Sequence, residues 1–361
     1  MTSLFSNNNY EIEAHDFKPN ACGAARPYIK SEISAGMKLH ALHVEPGTKQ
    51  LVKFNFNGGE IPATFIHGLH VKDQPEKTLV ITAGVHPDEY PGIAALVRAA
   101  NKINPEKLRG HLLLFHCVNL PGFWARSRFV PEDGFNLNSG YPGKADGTLG
   151  ERIANFFVTN IFPQADFILD LHSGSPTERL TTCLFYPEDA RADVREIAFN
   201  AAMATDIPWV LASHAKDGEY SYAANYMNVP GLLLERGYAG QCREEWIRGF
   251  ERDIALLLKH LGMYDDLPEL TNIPPCRKNI CAHTFYLESR HTGLWYPDEN
   301  IVNSIMEGRI IRKGSRLGHI ENFYGEFLGD YYAEADGIIF YYTSGLAIRE
   351  GDLLVAYGLL N

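Results

Sequence analysis

The chain has 361 residues, 45% of them apolar and 21% charged, with a formal net charge of −11. That length buries a large core and exceeds one average domain, so a large and a small domain are expected. The acidic balance argues against a surface built on nucleic-acid phosphates, which needs Lys and Arg gathered on one face.

The first residues, Met1 to Tyr10, have neither the positive start nor the apolar run of a secretory signal. No apolar stretch approaches the roughly 20 residues that span a bilayer. A cytoplasmic protein with no membrane contact is expected. The six cysteines form no CxxC pair and no dense framework, which suits a reduced cytosolic enzyme. Residues 1–45 are weakly patterned and read as an N-terminal arm. From Leu51 to about Leu267, short apolar runs alternate with longer amphipathic ones, as in an α/β fold with helices on both faces of a mixed, mostly parallel sheet. Buried strands are predicted at Thr78–Ala83, His111–Val118, Ala165–Leu171, Leu180–Phe185 and Gly231–Glu235. Helices are predicted at Tyr90–Ile103, Leu149–Asn160, Ala192–Ala204, Tyr220–Met227 and Glu244–Leu261. In the last, Ile247, Phe250, Ile254, Leu257, Leu258 and Leu261 recur at helical spacing and mark a buried face. Tyr264–Pro275, rich in Asp, Asn and Pro, reads as a linker. Beyond it, short β-rich pieces such as Ile338–Tyr342 and Leu353–Tyr357 alternate with glycine turns and predict a small all-β domain. The expected organisation is therefore the arm, an α/β domain over 46–270 and a β-rich domain over 271–361.

His86-Pro87-Asp88-Glu89 lies between a predicted strand and a predicted helix, at the carboxyl edge where open α/β sheets carry their sites. An imidazole and a carboxylate three residues apart, with a second histidine, make the His₂Glu set that holds catalytic zinc with an open position. Asp170-Leu171-His172-Ser173-Gly174 offers that histidine at the same edge. Gly84 and Gly92 bracket the first motif and permit close turns. Asp170 shares a strand face with His172, so it either orients a ligand or serves as a helix cap or salt-bridge partner. Glu235 closes a very apolar strand, where an unpaired charge is costly. It reads either as a proton shuttle beside the metal or as the salt-bridge partner of Arg236 or another neighbour. Asp88 reads as solvated or as support for a ligand.

Taken in order, HxxE at 86–89, an N-L-N segment at 136–138, D-L-H-S-G at 170–174 and a glutamate closing an apolar strand at 235 resemble the succinylglutamate desuccinylase/aspartoacylase family of zinc carboxypeptidase-like hydrolases. The resemblance covers nearly all of residues 50–262, and the β-rich tail is similar to that family's small C-terminal domain. It implies one zinc ion held by His86, Glu89 and His172, with Glu235 as the catalytic glutamate. It further implies that Arg128 stabilises the oxyanion and that Asn138 binds substrate. Guanidinium donors aimed at developing negative charge lower a barrier, and Arg126 competes for the same role.

The family usually continues Asn-Arg-x-Phe-Pro-Gly, whereas this chain reads Asn138-Ser139-Gly140-Tyr141-Pro142-Gly143. Serine cannot replace a guanidinium that grips a carboxylate with two bonds. Either Arg179 or Arg236 takes over that grip, or the substrate lacks the carboxylate, which disfavours N-acetylaspartate and N-succinylglutamate. Tyr141, with Tyr220, Tyr222 and Tyr238, lines the pocket or packs in the core. The expected activity is hydrolysis of the amide bond of a small N-acyl amino acid or related amide. The alternatives are a metallocarboxypeptidase acting on short peptides with the same metal ligands and glutamate, and a catalytically silent binding homologue that keeps the fold. The pairs His40/His43 and His67/His70, three apart on strands, point to opposite faces and read as solvated or hydrogen-bonded. The β-rich tail could gate the pocket or build a homo-oligomer interface.

Overall fold

The computed structural model describes residues 10–16, 29–33, 44–56, 58–72, 76–268, 276–299, 301–302 and 310–359, the first two segments as backbone only. The chain opens with β1 (Tyr10–Asp16), β2 (Ile29–Ile33), β3 (Thr48–Phe56) and β4 (Gly59–His67). It continues through β5 (Thr78–Ala83), α1 (Tyr90–Lys102), β6 (His111–Phe115), α2 (Leu120–Ala125), α3 (Leu149–Phe156), β7 (Phe167–His172) and β8 (Glu178–Leu180). Then follow β9 (Cys183–Pro187), α4 (Ala192–Ala204), β10 (Trp209–Ser213), α5 (Glu219–Met227), β11 (Gly231–Glu235) and α6 (Glu244–His260). The tail contributes β12 (Asn279–Cys281), β13 (Thr284–Glu288), β14 (Gly293–Pro297), β15 (Ile310–Ile311), β16 (Arg316–Glu321), β17 (Phe327–Tyr332), β18 (Gly337–Thr343), β19 (Ala347–Ile348) and β20 (Leu353–Leu359).

One large sheet runs in the order β12-β10-β9-β11-β7-β5-β6-β4-β3-β1-β2. It is mixed rather than mostly parallel. The strands β6, β5, β7 and β11 pair in parallel, as do β9, β10 and β12, but β9 runs antiparallel to β11. From β6 outward through β4, β3, β1 and β2 every pairing is antiparallel. The connections explain the change. Parallel neighbours need a long crossover, whereas the tight turn between β3 and β4 brings Phe56 opposite Gly59 and forces a hairpin. Neither strand, nor β10 or α2, is among the predicted elements. In β3 the inward residues Val52, Phe54 and Phe56 alternate with more exposed ones, as a half-buried strand should.

Helices cover both faces. On one, Leu96 of α1, Ala201 of α4 and Phe250 and Leu257 of α6 pack against Ile81, Leu169 and Leu232. On the other, Ile153 and Phe156 of α3 and Tyr220 and Ala223 of α5 pack against Val80, Ile168 and Leu233. The expected apolar face of α6 is buried at Ile247, Phe250, Ile254, Leu257 and Leu258. The predicted helix Leu149–Asn160 is α-helical only to Phe156 and continues as a π turn. No helix among the described residues is long and apolar enough to cross a membrane.

The tail strands form two antiparallel sheets, β13-β20-β18-β15 and β17-β16-β14-β19, around a core that includes Trp295, Leu317, Tyr331, Ile339 and Leu354. The predicted strand Leu180–Phe185 is in fact two. β8 leaves the large sheet to pair with β18, while β9 stays in it, and β12 of the tail joins the large sheet beside β10. The expected linker begins with Tyr264 and Leu267 packed into the core. Its residues 269–275, most of the expected arm, and His40 and His43 lie outside the described residues.

Alternation along β11 turns Arg236 toward α6. There its Nε donates to Asp253 Oδ2 at 2.5 Å and its Nη2 to Asp253 Oδ1 at 3.1 Å, with Asp206 a further partner. Asp253 is fully buried, and removing one partner of a buried ion pair strands the other charge. Asp253→Ala should therefore cost about 3 kcal/mol, measured by urea unfolding. An unchanged unfolding midpoint would contradict this account of the Arg236 environment.

Candidate metal and catalytic site

The site forms where the carboxyl ends of β5, β7 and β11 lie side by side. Register sets Thr82 beside Asp170, Asp170 beside Leu233, and His172 beside Glu235. With the side-chain period of two, Thr82, Asp170, His172 and Glu235 all face the α3/α5 side. The segment after β5 turns back sharply. Gly84 sits at φ +67°, a conformation L side chains rarely adopt, and a Cβ there would meet Cys117 Sγ at 2.9 Å. At Gly92 a Cβ would stand 2.9 Å from Leu171 Cβ, so glycine lets α1 approach β7. Glu89 occupies the N-cap of α1, and its amide donates to the His86 carbonyl at 3.2 Å.

His86, Glu89 and His172 converge, all three buried, with one donor atom of each within 4.8 Å of the others. His86 Nδ1 stands 2.9 Å from Glu89 Oε1, and His172 Nδ1 stands 3.0 Å from Glu89 Oε2. The far nitrogens are also engaged. His86 Nε2 lies 2.9 Å from Asn136 Oδ1, whose identity as the oxygen follows from its bond to the Asn138 amide at 3.0 Å. His172 Nε2 lies 2.9 Å from Asp170 Oδ2. Both Nε2 atoms thus face acceptors and carry the ring protons, which turns both Nδ1 lone pairs toward a carboxylate. That juxtaposition requires either two extra protons or a cation. A divalent metal fits: two imidazole nitrogens, one carboxylate, and outer acceptors that fix each ring are what a catalytic zinc site uses.

Burial would raise the Glu89 carboxyl, but the two imidazoles, when they carry the extra protons, outweigh it and hold the group well below the usual carboxylate range. Beside His172, Glu235 is in the opposite condition. Burial, then the Glu89 charge, push its carboxyl well above the ordinary value, and its Oε2 is buried without a hydrogen-bond partner among the described residues. Arg236 is turned to the other face, so the alternative of a Glu235–Arg236 salt bridge is not realised.

Arg128 reaches the same centre. Its Nη1 donates to Glu89 Oε1 at 2.9 Å, Ser175 Oγ at 2.6 Å and Glu178 Oε2 at 3.0 Å. Burial alone would lower its pKa, but Glu178 and Glu89 outweigh that and raise it, so the guanidinium stays charged. Glu178 is steadied in turn by the Ser175 amide at 2.9 Å and by the Tyr341 hydroxyl of β18 at 3.4 Å. Asp88, one of whose readings was a solvated carboxylate, is buried and accepts from Ser175 Oγ at 3.0 Å.

The remaining candidates fall further out. Arg126 is exposed, in left-handed backbone at the C-cap of α2. Asn138 is half-buried against Gly218, and Ser139 is exposed on the same short 3₁₀ turn. Tyr141 is buried, its amide bonded to the Asp217 carbonyl and its hydroxyl 3.5 Å from Glu219 Oε2. Neither arginine proposed to replace the one missing at Ser139 joins this loop. Arg236 is committed to Asp253 and Asp206, and Arg179 lies over the Tyr238 ring, on the β8 face opposite Glu178. The His67/His70 pair does not converge: His67 meets the Val44 carbonyl and His70 meets Glu76.

Asn136, Ser175, Glu178, Thr82 and Glu219 belong to the site without having been singled out by sequence. Asn136 had a local signal, standing two residues before Asn138 in the same segment. Glu219 had none, because an acid in the first turn of a helix reads as a complement to its dipole.

A family model described as the succinylglutamate desuccinylase/aspartoacylase catalytic domain matches residues 75–261. The N-alpha-acetyl-L-2,4-diaminobutyric acid deacetylase of Halomonas elongata is 27% identical over 338 residues, covering 92% of this chain and 95% of that protein. Among solved structures, the product-bound ectoine utilization protein EutE (DoeB) of Ruegeria pomeroyi superposes with a TM-score of 0.71 at 23% identity, covering 84% of this chain and 90% of its own. A succinylglutamate desuccinylase/aspartoacylase of Rhodobacter sphaeroides gives 0.69 at 25% identity, covering 83% and 90%.

Proposed function

The chain belongs to the succinylglutamate desuccinylase/aspartoacylase family, and on that premise we propose that it is a zinc-dependent deacylase that hydrolyses the amide of a small N-acyl amino acid. The observation that carries the reading is the pairing of a buried His86–Glu89–His172 donor set with a Glu235 carboxyl beside it, whose Oε2 has no hydrogen-bond partner among the described residues. Relatedness to the Halomonas elongata deacetylase supports an N-acetyl amino acid with a second amino group as substrate, and Ser139 agrees, since the chain lacks the arginine that grips a second carboxylate. Residues 46–270 would form the hydrolase unit and residues 271–361 the β-rich unit, preceded by an arm over 1–45.

His86, Glu89 and His172 would hold one zinc ion, with Asn136 and Asp170 fixing the rings. Zinc, when bound, supplies Lewis acidity toward the scissile carbonyl and makes water a stronger acid. Glu235 Oε2 takes a proton from the attacking water and delivers it to the leaving nitrogen as the C–N bond breaks, giving a carboxylate and an amine. A carboxyl held above its ordinary value suits both halves of that transfer. Arg128 donates to the carbonyl oxygen as it gains negative charge, and Glu178 and Ser175 hold the guanidinium in place. Asn138, Ser139, Arg126 and Tyr141 make up the substrate side, with Asn138 orienting the amino-acid portion.

Two outcomes are expected. In a screen with zinc-loaded protein and Glu235→Ala as the blank, N-acetyl-2,4-diaminobutyrate should be cleaved well ahead of N-acetylaspartate. Cleavage of dipeptides but of no N-acyl amino acid would sink the deacylase reading. Chelator-stripped protein should take up one equivalent of zinc and unfold at a higher temperature with it, and His86→Ala should lose both effects. The gain should grow as pH rises, because His172 must shed its extra proton to bind metal: burial opposes that proton, but Asp170 and Glu89 outweigh it and hold the group well above the ordinary imidazole range. A stripped chain whose melting temperature ignores zinc would remove the metal from the scheme.

A further inference from the structure

Segments that are separate in the chain meet at one nitrogen of Arg128. Its Nη1 lies 2.6 Å from Ser175 Oγ, 2.9 Å from Glu89 Oε1 and 3.0 Å from Glu178 Oε2. Ser175 Oγ in turn donates to Asp88 Oδ1 at 3.0 Å, and both residues are buried, Ser175 at 4% exposure and Asp88 at 5%. The Ser175 amide donates to the same Glu178 Oε2 at 2.9 Å, so one residue steadies both of the other groups. The links run Asp88, Ser175, Arg128, from the turn between β5 and α1 to the guanidinium.

Donor counting shows what each link does. A serine hydroxyl has one proton, and here it goes to Asp88. What Ser175 Oγ turns toward the guanidinium is then a lone pair, fixed as an acceptor by a buried carboxylate. Without Asp88 the hydroxyl is a rotor that can point its proton at the cation. Nη1 carries two protons. Glu89 is a candidate metal ligand, so the acceptors that belong to Arg128 alone are Ser175 and Glu178, one for each of those protons. Every hydrogen bond from Arg128 to the described residues leaves Nη1, and 29% of the side chain remains accessible. One edge of the guanidinium is therefore an anchor, while the N–H groups of Nε and Nη2 are unspent. A donor to developing charge needs that division, because its orientation must be set before the reaction begins.

We propose that Asp88 is a positioning residue for Arg128, acting through the Ser175 hydroxyl, so that Ser175 and Glu178 hold Nη1 while the Nε and Nη2 edge donates to the substrate carbonyl oxygen. It deepens the deacylase reading and rests on it for the role of that edge, although the hold on Nη1 belongs to the chain alone. Asp88→Asn keeps an oxygen acceptor for Ser175, and Ser175→Thr keeps the hydroxyl. Asp88→Ala and Ser175→Ala break the link.

The test joins nitrogen-15 NMR of the arginine side chains to steady-state kinetics of the zinc-loaded protein on N-acetyl-2,4-diaminobutyrate. In the wild type, rotation about the Arg128 Cζ–Nη bonds should be slow and give resolved Nη signals, assigned by their loss in Arg128→Lys. Those signals should merge by exchange in Asp88→Ala and Ser175→Ala. In both alanine variants kcat should fall about tenfold with KM within about twofold, the mark of an interaction made in the transition state, and Asp88→Asn should recover most of the loss. In an Arg128→Ala background Asp88→Ala should lower kcat no further, because its effect passes through the guanidinium. The proposal is overturned if the Nη signals of folded Asp88→Ala match the wild type, if kcat is unchanged in the alanine variants, or if Asp88→Ala lowers kcat as much without Arg128 as with it. Should Asp88→Ala not fold, Ser175→Ala reads the same link. A wild-type chain that cleaves no N-acyl amino acid removes the deacylase reading alone, because the Nη signals still decide the hold on Arg128.

Discussion

A carboxylate buried as completely as Glu89 can persist only where positive charge or hydrogen-bond donors meet both of its oxygens, and the rest of the site is arranged around that requirement. His86 approaches one oxygen from the same turn, three residues away, while His172 approaches the other from a separate strand. Arg128 adds a guanidinium, and the Ser173 amide donates to Oε2 at 2.9 Å. This convergence depends on β5 and β7 being parallel neighbours, so that their carboxyl ends finish together and loops from both can face one point.

The outer contacts follow the same logic of leaving no buried charge alone. Asp170 and Asn136 each take the far nitrogen of one ring, and Glu178 shares the Nη1 of Arg128 with Glu89. Glu178 stands on β8, which is held by pairing with β18 of the tail. The β-rich part therefore touches the chemistry through Tyr341 and Glu178, not only through its surface. On β11 the alternation of a single strand separates two neighbouring charges completely. Glu235 joins the site, and Arg236 is spent holding α6 and Asp206 to the sheet.

The loop from Asn136 to Tyr141, proposed as the substrate side, also reaches the candidate metal ligands. Asn136 supports His86 from the same short turn that carries Asn138 and Ser139, and Tyr141 is anchored below it against Glu219. Arg179 and Arg236 are both engaged elsewhere in the fold, so neither stands in for the arginine that the family pattern would place at position 139. The loss is one of charge as well as of shape, which bears on the kind of molecule the loop can hold.

The sequence by itself determined the strand-to-helix placement of His86 and Glu89, the second histidine at the end of an apolar strand, the glutamate that closes an apolar strand at 235 and the change to β structure in the tail. These are local facts: apolar runs, glycines, and side-chain periods of two or 3.6 are written into consecutive residues. The tertiary structure alone decided that the sheet turns antiparallel beyond β6, that β8 crosses to the tail, that Arg236 faces α6, and that Thr82, Glu219 and Glu178 belong to the site. Each of those depends on which strands become neighbours and in what register. Pairing energy accrues between segments far apart in the chain, so a residue such as Glu178 acquires its meaning only when β8 pairs with β18 and brings the Tyr341 hydroxyl to its carboxylate.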